Sequence, residues 1–249
     1  MRAVILAGGR GTRLAPYTTV IPKPLLPVGD MPILEVLIRQ LAHYGFTRVT
    51  LSLGYMAEYF KLFFAHRKSL SQLVEIDFVE EEQPTGTAGS LSAIPDLEGT
   101  FLVMNGDLLT NIDYRKLIEF HRRHGGILTI TTQNKDVGID LGVIESDDRG
   151  VVTGYREKPT LHYQISMGIY VYDAEILQYI PKNDYLDFPD LVCRLLRADG
   201  KVHTFFSDAC WLDLGRPEDL AQATEVFLSR RHEFLPCGAG NLAACRPAA

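Results

Sequence analysis

The sequence lacks a surplus of positive charge. Its 249 residues include 25 Lys and Arg against 31 Asp and Glu, which gives a formal net charge of -6. Non-specific binding to nucleic acid requires a basic face, and docking on an anionic membrane requires basic clusters, so the composition disfavours both functions. It does not disfavour a small anionic ligand, because a few local cations can hold a phosphate inside an acidic protein.

The sequence also lacks a long hydrophobic run. Its first six residues, M-R-A-V-I-L, hold one charge followed by a very short apolar stretch. A secretory signal peptide needs a longer apolar region and a small-residue cleavage site. A transmembrane helix needs about 20 apolar residues in succession. We therefore expect a soluble, cytoplasmic protein.

Metal-binding and disulfide patterns are missing as well. The four cysteines, at positions 193, 210, 237 and 245, form no C-x-x-C pair, and the seven histidines form no H-x-x-x-H pair. Such cysteines are typical of thiols in a reducing compartment. There is no internal repeat, no clear linker and no heptad pattern that would fix an oligomeric state. We predict a single domain over residues 1–235 and a loose tail over residues 236–249.

The first half of the chain alternates between short apolar runs and amphipathic runs. The apolar runs predict strands at residues 3–6, 48–53, 74–79, 101–104 and 127–132. The amphipathic runs predict helices at residues 32–44, 58–66 and 113–124, with Asp113 as the cap of the last one. This order predicts an α/β, Rossmann-like fold, with a mainly parallel central sheet and helices on both faces.

The second half is richer in strands. Residues 142–158 predict a hairpin that turns near 147–150, and residues 165–172 predict a strand. A helix at residues 188–197, short strands at 202–206 and 211–212, and a helix from Pro217 to about residue 231 complete the predicted elements. We expect this half to add a small β-rich part to the sheet.

The strongest chemical signal is a glycine-rich segment directly after the first strand. Residues 6–14 read L-A-G-G-R-G-T-R-L, and Lys23 follows closely. Glycines let backbone N–H groups approach phosphate oxygens because no Cβ intervenes. Arg10 and Arg13 can add charge-assisted hydrogen bonds, and Lys23 can add a point charge. The segment lacks the G-K-[ST] ending of a P-loop and does not match G-x-G-x-x-G.

Together with later motifs, this segment resembles the signature of the sugar nucleotidyltransferases, also called nucleotide-sugar pyrophosphorylases. The resemblance covers almost the whole chain up to about residue 231. It includes P-K-P-L-L-P-V-G at 22–29, P-I-L at 32–34, G-T-A-G at 86–89, N-G-D at 105–107, E-K-P at 157–159, G-I-Y-V at 168–171 and W-L-D-L-G-R-P at 211–217.

The resemblance implies roles for specific positions. The substrates would be a nucleoside triphosphate and a sugar 1-phosphate, Mg²⁺ would be the cofactor, and Arg13 and Lys23 would be catalytic. Members of the family often form homo-oligomers. The implied nucleotide-binding residues are Leu6, Ala7, Gly8, Gly9, Gly11, Thr12, Arg13, Gln83, Gly86, Thr87 and Ala88. The implied sugar-phosphate-binding residues are Asn105, Gly142, Glu157, Lys158, Ser166 and Gly168, and the implied metal ligands are Asp107 and Asp213.

The physical reading of the carboxylates agrees with the implied metal site. Asp107 follows an apolar strand, and ligands of open α/β sheets bind at the carboxyl ends of strands. Asp213 also follows a short apolar strand. Two carboxylates from distant segments suit Mg²⁺, which takes few protein oxygens and completes its octahedron with water and phosphate.

Two departures from the family pattern concern the sugar. Ser166 stands where many relatives have Asn, and Leu141 stands where an aromatic residue often precedes the sugar-facing glycine. Ser has a shorter reach and one polar group fewer than Asn. The sequence therefore leaves the identity of the sugar open.

The base is open as well. Residues 81–89 look most like the mannose-1-phosphate guanylyltransferase branch. Gln83, however, presents one donor and one acceptor, which matches the edge of uracil or thymine, whereas guanine would prefer a carboxylate such as Glu82. GTP with mannose 1-phosphate is our first interpretation. A thymidylyl- or uridylyltransferase acting on glucose 1-phosphate is the alternative.

A non-catalytic reading is a further alternative. Some relatives of these enzymes are regulatory subunits that bind a nucleotide sugar without turning it over. The discriminating feature is an intact set of phosphate-binding and metal-binding side chains. That set is complete in this sequence: Arg13, Lys23, Asp107, Lys158 and Asp213. We therefore expect an enzyme.

Overall fold

The computed structural model describes residues 1–182 and 184–236 of the chain. The strands are β1 (Arg2–Ala7), β2 (Pro27–Val28), β3 (Met31–Pro32), β4 (Arg48–Leu53), β5 (Glu75–Glu80), β6 (Thr100–Asn105), β7 (Leu108–Thr110), β8 (Leu128–Gly138), β9 (Val143–Ser146), β10 (Val152–Arg156), β11 (Thr160–Asp173), β12 (Val202–Phe206) and β13 (Trp211–Asp213). The helices are α1 (Ile33–His43), α2 (Ala57–His66), α3 (Lys68–Ser71), α4 (Gly86–Gly89), α5 (Tyr114–His124), α6 (Phe188–Arg197), α7 (Pro217–Ser229) and α8 (Arg231–Phe234).

A seven-stranded sheet forms the centre of the fold. Its strand order is β12-β8-β11-β6-β1-β4-β5. Every neighbouring pair is parallel except the two pairs that β11 forms with β6 and β8. The predicted α/β architecture with a mainly parallel sheet is confirmed. Because β1 lies between β6 and β4, its carboxyl end is flanked by the carboxyl ends of two parallel neighbours.

The alternation of side chains along β1 separates two hydrophobic cores. Ala3 and Ile5 point into one core and Val4 into the other, as the period of two along a strand requires. Residues of α1, α2, α5 and α7 belong to the first core, and residues of α6 belong to the second. The helices therefore cover both faces of the sheet.

Two helix signals in the sequence have a direct structural counterpart. The Oδ1 atom of Asp113 accepts hydrogen bonds from the backbone N–H groups of Arg115 and Lys116, at 3.0 and 3.2 Å. Pro32 immediately precedes α1, in which Leu34 and Leu37 are fully buried. The predicted cap of α5 is confirmed, and the 3.6-residue spacing of apolar side chains explains why α1 packs on the sheet.

A β-rich extension projects from one side of the sheet. The ladder between β8 and β11 continues to the pair formed by Thr160 and Gly138. The hairpin of β9 and β10 lies beyond it, and Asp147 Oδ1 accepts from the N–H groups of Arg149 and Val151, both at 2.9 Å. The hairpin turn predicted near residues 147–150 is therefore present.

The C-terminal helices are tied to the core through a buried amide. Gln40 Nε2 donates to the carbonyl oxygens of Thr110, at 2.6 Å, and Phe234, at 2.9 Å. Phe234 is itself fully buried. The tail predicted for residues 236–249 falls, after Pro236, outside the described residues, as do two of the four cysteines. The single-domain assignment stays a prediction.

The described residues contain no helix that combines the length and the apolar character needed to cross a membrane.

A buried histidine predicts a pH-dependent stability. His121 is 2% exposed, and its Nδ1 lies 2.8 Å from Thr129 Oγ1. Burial lowers its pKa below the ordinary 6.5, although Asp173 opposes this shift. The unfolded chain then binds more protons below pH 6.5, so the free energy of unfolding is highest above that pH and decreases as the pH falls.

Urea unfolding between pH 7.5 and 5.5 measures this effect. The change His121→Asn should flatten the decrease, because the titrating group is gone. The matched control is His66→Asn, since His66 is exposed on α2. If the free energy of unfolding of His121→Asn decreased with pH as much as that of the wild type, His121 would not be the group responsible.

Candidate functional site

A cavity of about 710 Å³ opens at the carboxyl ends of β1, β4 and β6. This is the position at which open α/β sheets bind ligands. Most residues that the sequence interpretation assigned to the nucleotide line it, namely Leu6, Ala7, Gly8, Gly9, Gly11, Thr12, Arg13, Gly86 and Thr87. The lining also includes Lys23, assigned to catalysis, Asn105, assigned to the sugar phosphate, and Asp107, assigned to the metal.

The glycine-rich segment forms one wall of the cavity. Gly11 has φ +61, and a Cβ there would lie 2.9 Å from Thr18 Cγ2, so only glycine fits. The Thr18 hydroxyl donates to the carbonyl oxygen of Gly11 at 2.9 Å and holds this shape. Gly9 differs, because a Cβ at that position would meet no protein atom within 4 Å. The space beside Gly9 is therefore open to a ligand.

Lys23 lies at the centre of the site. It begins a short 3₁₀ turn, Lys23–Leu25, and is only 6% exposed. Its ammonium group forms an ion pair with Asp107, which lies between β6 and β7. A lysine is almost never buried to this degree without a partner. The fold thus holds one positive and one negative charge together at the ends of the central strands.

Asp213 approaches this pair from β13. It lies opposite Leu108 in the ladder between β13 and β7, and the next backbone N–H, of Leu214, donates to the Asp107 carbonyl at 3.2 Å. Partial burial raises the pKa of Asp213, and the Asp107 carboxylate raises it further. Lys23 and Arg13 oppose that shift. Two acidic and two basic side chains from four segments therefore interact.

The two carboxylates fit a magnesium ion. Mg²⁺ is bound through one or two protein carboxylates and otherwise by water and substrate phosphate. Burial in the first place, and the neighbouring Asp107 carboxylate in the second, raise the pKa of Asp213, and a bound cation would offset both effects. Within residues 1–182 and 184–236, no group of three or more His, Cys, Asp or Glu side chains is placed to hold a metal.

Arg13 packs against the loop that follows β13. A Cβ at Gly215 would lie 3.1 Å from Arg13 Nη1. Gly215 lines the cavity with Arg13. The glycine therefore makes room for the guanidinium group at the edge of the site.

Residues 81–89 form a second wall of the cavity, and the sequence interpretation placed residues 83–88 of it near the base. Glu81 fixes it, since its carboxylate accepts from Ser52 Oγ at 2.9 Å and from the N–H and hydroxyl of Thr85 at 3.0 and 2.8 Å. Glu81 and Glu82 line the cavity. Gln83 is exposed and Ala88 is buried, and neither is among the lining residues.

The residues assigned to the sugar phosphate fall into two groups. Gly168 has φ +70, and a Cβ there would lie 2.6 Å from Asn105 Nδ2 in the cavity wall. Its N–H donates to Ser166 Oγ at 3.3 Å. Ser166 and Gly168 thus adjoin the cavity through Asn105 without lining it.

The second group lies at the hairpin. The Tyr155 hydroxyl donates to Glu157 Oε2 at 2.7 Å, and its ring packs so closely on Gly142 that a Cβ there would clash with it. Glu157 and Lys158 are exposed. The structure brings none of these side chains to the cavity.

Several lining residues were missed by the sequence interpretation, and two of them come from far along the chain. Tyr185 and Asp187 reach the cavity from the segment before α6. Nothing in their spacing marks them, because they follow no strand and belong to no glycine-rich motif. Only the folding of residues 184–188 against α4 brings them to the site.

Comparison with known proteins gives a consistent result. A family model described as Nucleotidyl transferase matches residues 2–230. The chain is 32% identical over 248 residues to UTP–glucose-1-phosphate uridylyltransferase of Synechocystis sp., covering 92% of this chain and 64% of that protein. It is 32% identical over 230 residues to mannose-1-phosphate guanylyltransferase of Mycobacterium tuberculosis, covering 89% and 63%. The chain thus spans just under two thirds of these relatives.

Solved structures show the same fold. HddC from Yersinia pseudotuberculosis, crystallised in complex with GMP-PN, superposes with a TM-score of 0.69 at 29% identity, covering 91% of this chain and 99% of that one. A putative glucose-1-phosphate thymidylyltransferase from Bacillus anthracis gives 0.71 at 25% identity, covering 91% and 94%.

Proposed function

The chain belongs to the nucleotidyl transferase family, and we propose that it transfers a nucleoside monophosphate from a nucleoside triphosphate to a sugar 1-phosphate. The products are a nucleotide sugar and pyrophosphate. One observation carries this proposal: the glycine-rich wall, the buried Lys23 and the carboxylate of Asp107 converge in a single cavity at the ends of the central strands. A polyphosphate needs these three features, namely backbone N–H groups, a cation and a carboxylate that can hold a metal.

The reaction is a single in-line displacement at the α-phosphorus. A phosphate oxygen of the sugar 1-phosphate forms the new P–O bond, and the bond to the pyrophosphate leaving group breaks. The second pKa of a phosphate monoester is about 6, so the nucleophile is already ionised at neutral pH. No general base is required.

The charged side chains of the cavity offset the negative charge of the two substrates. Two anionic substrates must meet, and negative charge grows on the departing pyrophosphate. Lys23 and Arg13 neutralise that charge inside the cavity, where a low dielectric strengthens each interaction. Asp107 and Asp213 would hold Mg²⁺, which supplies further charge neutralisation on the triphosphate. Lys158 is exposed and lies outside the cavity lining, so its contact with the sugar phosphate stays a prediction of the sequence.

The base we propose is guanine, and the sugar is mannose. Glu82 lines the cavity and Gln83 does not. A carboxylate accepts hydrogen bonds from the N1–H and N2–H₂ groups of guanine, whereas the uracil edge presents an acceptor that a carboxylate would repel. Mannose 1-phosphate follows from the resemblance of residues 81–89 to the guanylyltransferase branch.

A second candidate is the transfer of UMP or dTMP to glucose 1-phosphate. It is favoured by the Synechocystis relative, which carries the name of a uridylyltransferase at the same 32% identity as the guanylyltransferase relative.

An assay of pyrophosphate release distinguishes among these proposed functions. The assay combines GTP, UTP, dTTP, ATP and CTP with mannose, glucose and glucosamine 1-phosphates in the presence of Mg²⁺. We expect the highest kcat/KM for GTP with mannose 1-phosphate. A preference for UTP or dTTP with glucose 1-phosphate would overturn the guanine assignment. Binding of a nucleotide sugar without release from any pair would overturn the enzyme assignment.

Gly9 provides a prediction that separates binding from folding. The change Gly9→Ala should leave the melting temperature unchanged, because no protein atom lies within 4 Å of the added methyl group. It should weaken nucleotide binding about tenfold or more, roughly 1.4 kcal/mol, because the methyl group takes the space of the phosphates. Calorimetric titration with GTP measures the loss.

Gly138→Ala is the matched control. Gly138 ends β8, and a Cβ there also meets nothing within 4 Å. Equal affinities in the two variants would show that the phosphates do not lie against Gly9.

A further inference from the structure

Residues 184–188 are joined to the wall assigned to the base. Leu186 N–H donates to the Thr85 carbonyl at 2.8 Å, and the Leu186 carbonyl accepts from the N–H groups of Ala88 and Gly89 at 3.0 and 2.9 Å. Gly86 has φ +83, and a Cβ there would lie 2.6 Å from the Leu186 carbonyl oxygen. The two segments therefore form one continuous wall.

Asp187 clamps the exposed side of this wall. Its Oδ1 accepts from the N–H of Thr87 at 3.1 Å and from the Thr87 hydroxyl at 3.3 Å. The Thr87 hydroxyl also accepts from the N–H of Phe188 at 2.9 Å. Asp187 Oδ2 accepts from the Tyr185 hydroxyl. The carboxylate therefore fixes Thr87 on one side and Tyr185 on the other.

Two side chains in this wall are not fully used by contacts among the described residues. Tyr185 is 58% exposed although it lines the cavity. Ser90 also lines the cavity and is 2% exposed, and its hydroxyl has no hydrogen-bond partner among the described residues. A buried hydroxyl without a partner is unfavourable, so such groups are rare unless a ligand or water completes them.

We propose that Tyr185 and Ser90 complete the nucleobase subsite, with Asp187 as their positioning residue. The ring of Tyr185 stacks on the base, and the Ser90 hydroxyl forms a hydrogen bond with its edge. Asp187 acts indirectly by holding Thr87 and the Tyr185 hydroxyl. This inference rests on the proposed function, because it takes the cavity to hold a nucleotide. It adds Ser90, together with Tyr185 and Asp187 from the second half of the chain, to a subsite that the sequence interpretation placed in residues 83–88.

Stacking on Tyr185 predicts which kind of base the subsite prefers. Aromatic stacking contributes to binding of every base, and the larger purine ring system overlaps more of the tyrosine ring than a pyrimidine does. Tyr185 therefore favours GTP over UTP, in the same direction as the carboxylate of Glu82.

Binding experiments on the full chain can separate the contribution of the base to the affinity from that of the phosphates. Inorganic tripolyphosphate carries the charges of the triphosphate but has no base. Dissociation constants for GTP, UTP and tripolyphosphate would be measured by calorimetry for Tyr185→Ala, Tyr185→Phe, Ser90→Ala, Asp187→Asn and Asp187→Ala. Tyr59→Ala is the matched control, because Tyr59 is also exposed, at 45%, and lies on α2 outside the cavity lining.

The expected losses differ between variants. Tyr185→Ala should weaken GTP binding by about 5- to 150-fold, the range for losing one stacked base, and should weaken UTP binding less. Ser90→Ala should weaken GTP binding by about 2- to 12-fold, the range for one hydrogen bond. Tripolyphosphate binding should stay unchanged in both. Tyr185→Phe, which keeps the ring, should retain most of the affinity.

Asp187 should show a graded effect. Asn keeps one oxygen that can accept from Thr87, so Asp187→Asn should lose less GTP affinity than Asp187→Ala. Both should raise the KM for GTP more than they lower kcat, with KM for the sugar 1-phosphate unchanged. A general structural role would instead weaken GTP and tripolyphosphate together.

Two outcomes would overturn the inference. One is GTP binding in Tyr185→Ala equal to that of Tyr59→Ala. The other is a parallel loss of GTP and tripolyphosphate in the Tyr185 and Ser90 variants. A failure of the proposed function would give a different result from a failure of this inference. The wild-type protein would then release no pyrophosphate, whereas its affinity for GTP would still depend on Tyr185 and Ser90.

Discussion

Replacement of Lys23 by Met should lower kcat/KM for pyrophosphate release by about 100-fold or more. Removal of one preorganised hydrogen-bond donor from a site where charge develops in the transition state typically has an effect of this size. Lys23 is the most buried cation of the cavity, at 6% exposure, and its ammonium group faces the carboxylate of Asp107. A positive charge fixed there needs no reorganisation when the pyrophosphate departs. The larger part of the loss should appear in kcat, because the charge is needed most in the transition state.

Methionine is the informative replacement. It keeps most of the buried stem of the lysine, so packing around the 3₁₀ turn is preserved and only the charge is removed. The Asp107 side chain is 27% exposed, so solvent can compensate for its lost partner. Circular dichroism should show a native fold. Lys68→Met, on the exposed surface of α3, is the control. Activity within a few-fold of wild type in Lys23→Met would remove Lys23 from the mechanism.

The second large effect is expected for Asp107→Asn. Asparagine keeps the shape of the side chain and can still accept a hydrogen bond from Lys23, but it loses the negative charge that a hard cation requires. We expect turnover to decrease by about 100-fold or more at saturating Mg²⁺, comparable to the loss of a principal electrostatic group.

Metal binding provides a readout that does not depend on turnover. Binding of Mn²⁺ in the presence of a non-hydrolysable GTP analogue, followed by water proton relaxation, should weaken in Asp107→Asn. Asp148→Asn, in the exposed turn of the β9–β10 hairpin, should bind Mn²⁺ as the wild type does. Normal Mn²⁺ affinity together with normal turnover in Asp107→Asn would show that this carboxylate is not a metal ligand.

The sequence predicted the fold well because its signals are local. Strand and helix periodicities, the cap at Asp113 and the turn near residues 147–150 each depend on a few neighbouring residues. Helix α6 and strand β12 begin and end where they were predicted. The lengths of β8 and β11 were underestimated, because their outer ends pair with each other in an exposed ladder that needs no apolar side chains.

The lining of the cavity was predicted to the extent that it is built from contiguous motifs, whereas the roles of these residues stay predictions. Residues 6–13 reach the cavity as a unit, and it is also lined by Asn105, the last residue of β6, and by Asp107 shortly after it. Tyr185 and Asp187 could not be found in this way, because their position depends on backbone hydrogen bonds between residues 85–89 and Leu186, about 100 residues apart. The ion pair of Lys23 with Asp107 is likewise a long-range contact that neither motif reveals alone.

The burial of Gln40 has a practical consequence for protein engineering. The family model ends at residue 230, which suggests a natural point for truncation. Cutting there would remove Phe234, whose carbonyl accepts from Gln40 Nε2 and whose ring fills the core. The truncated protein would expose apolar surface beside α1 and should express poorly or aggregate. Expression plasmids and domain fusions should therefore place their junction after residue 235.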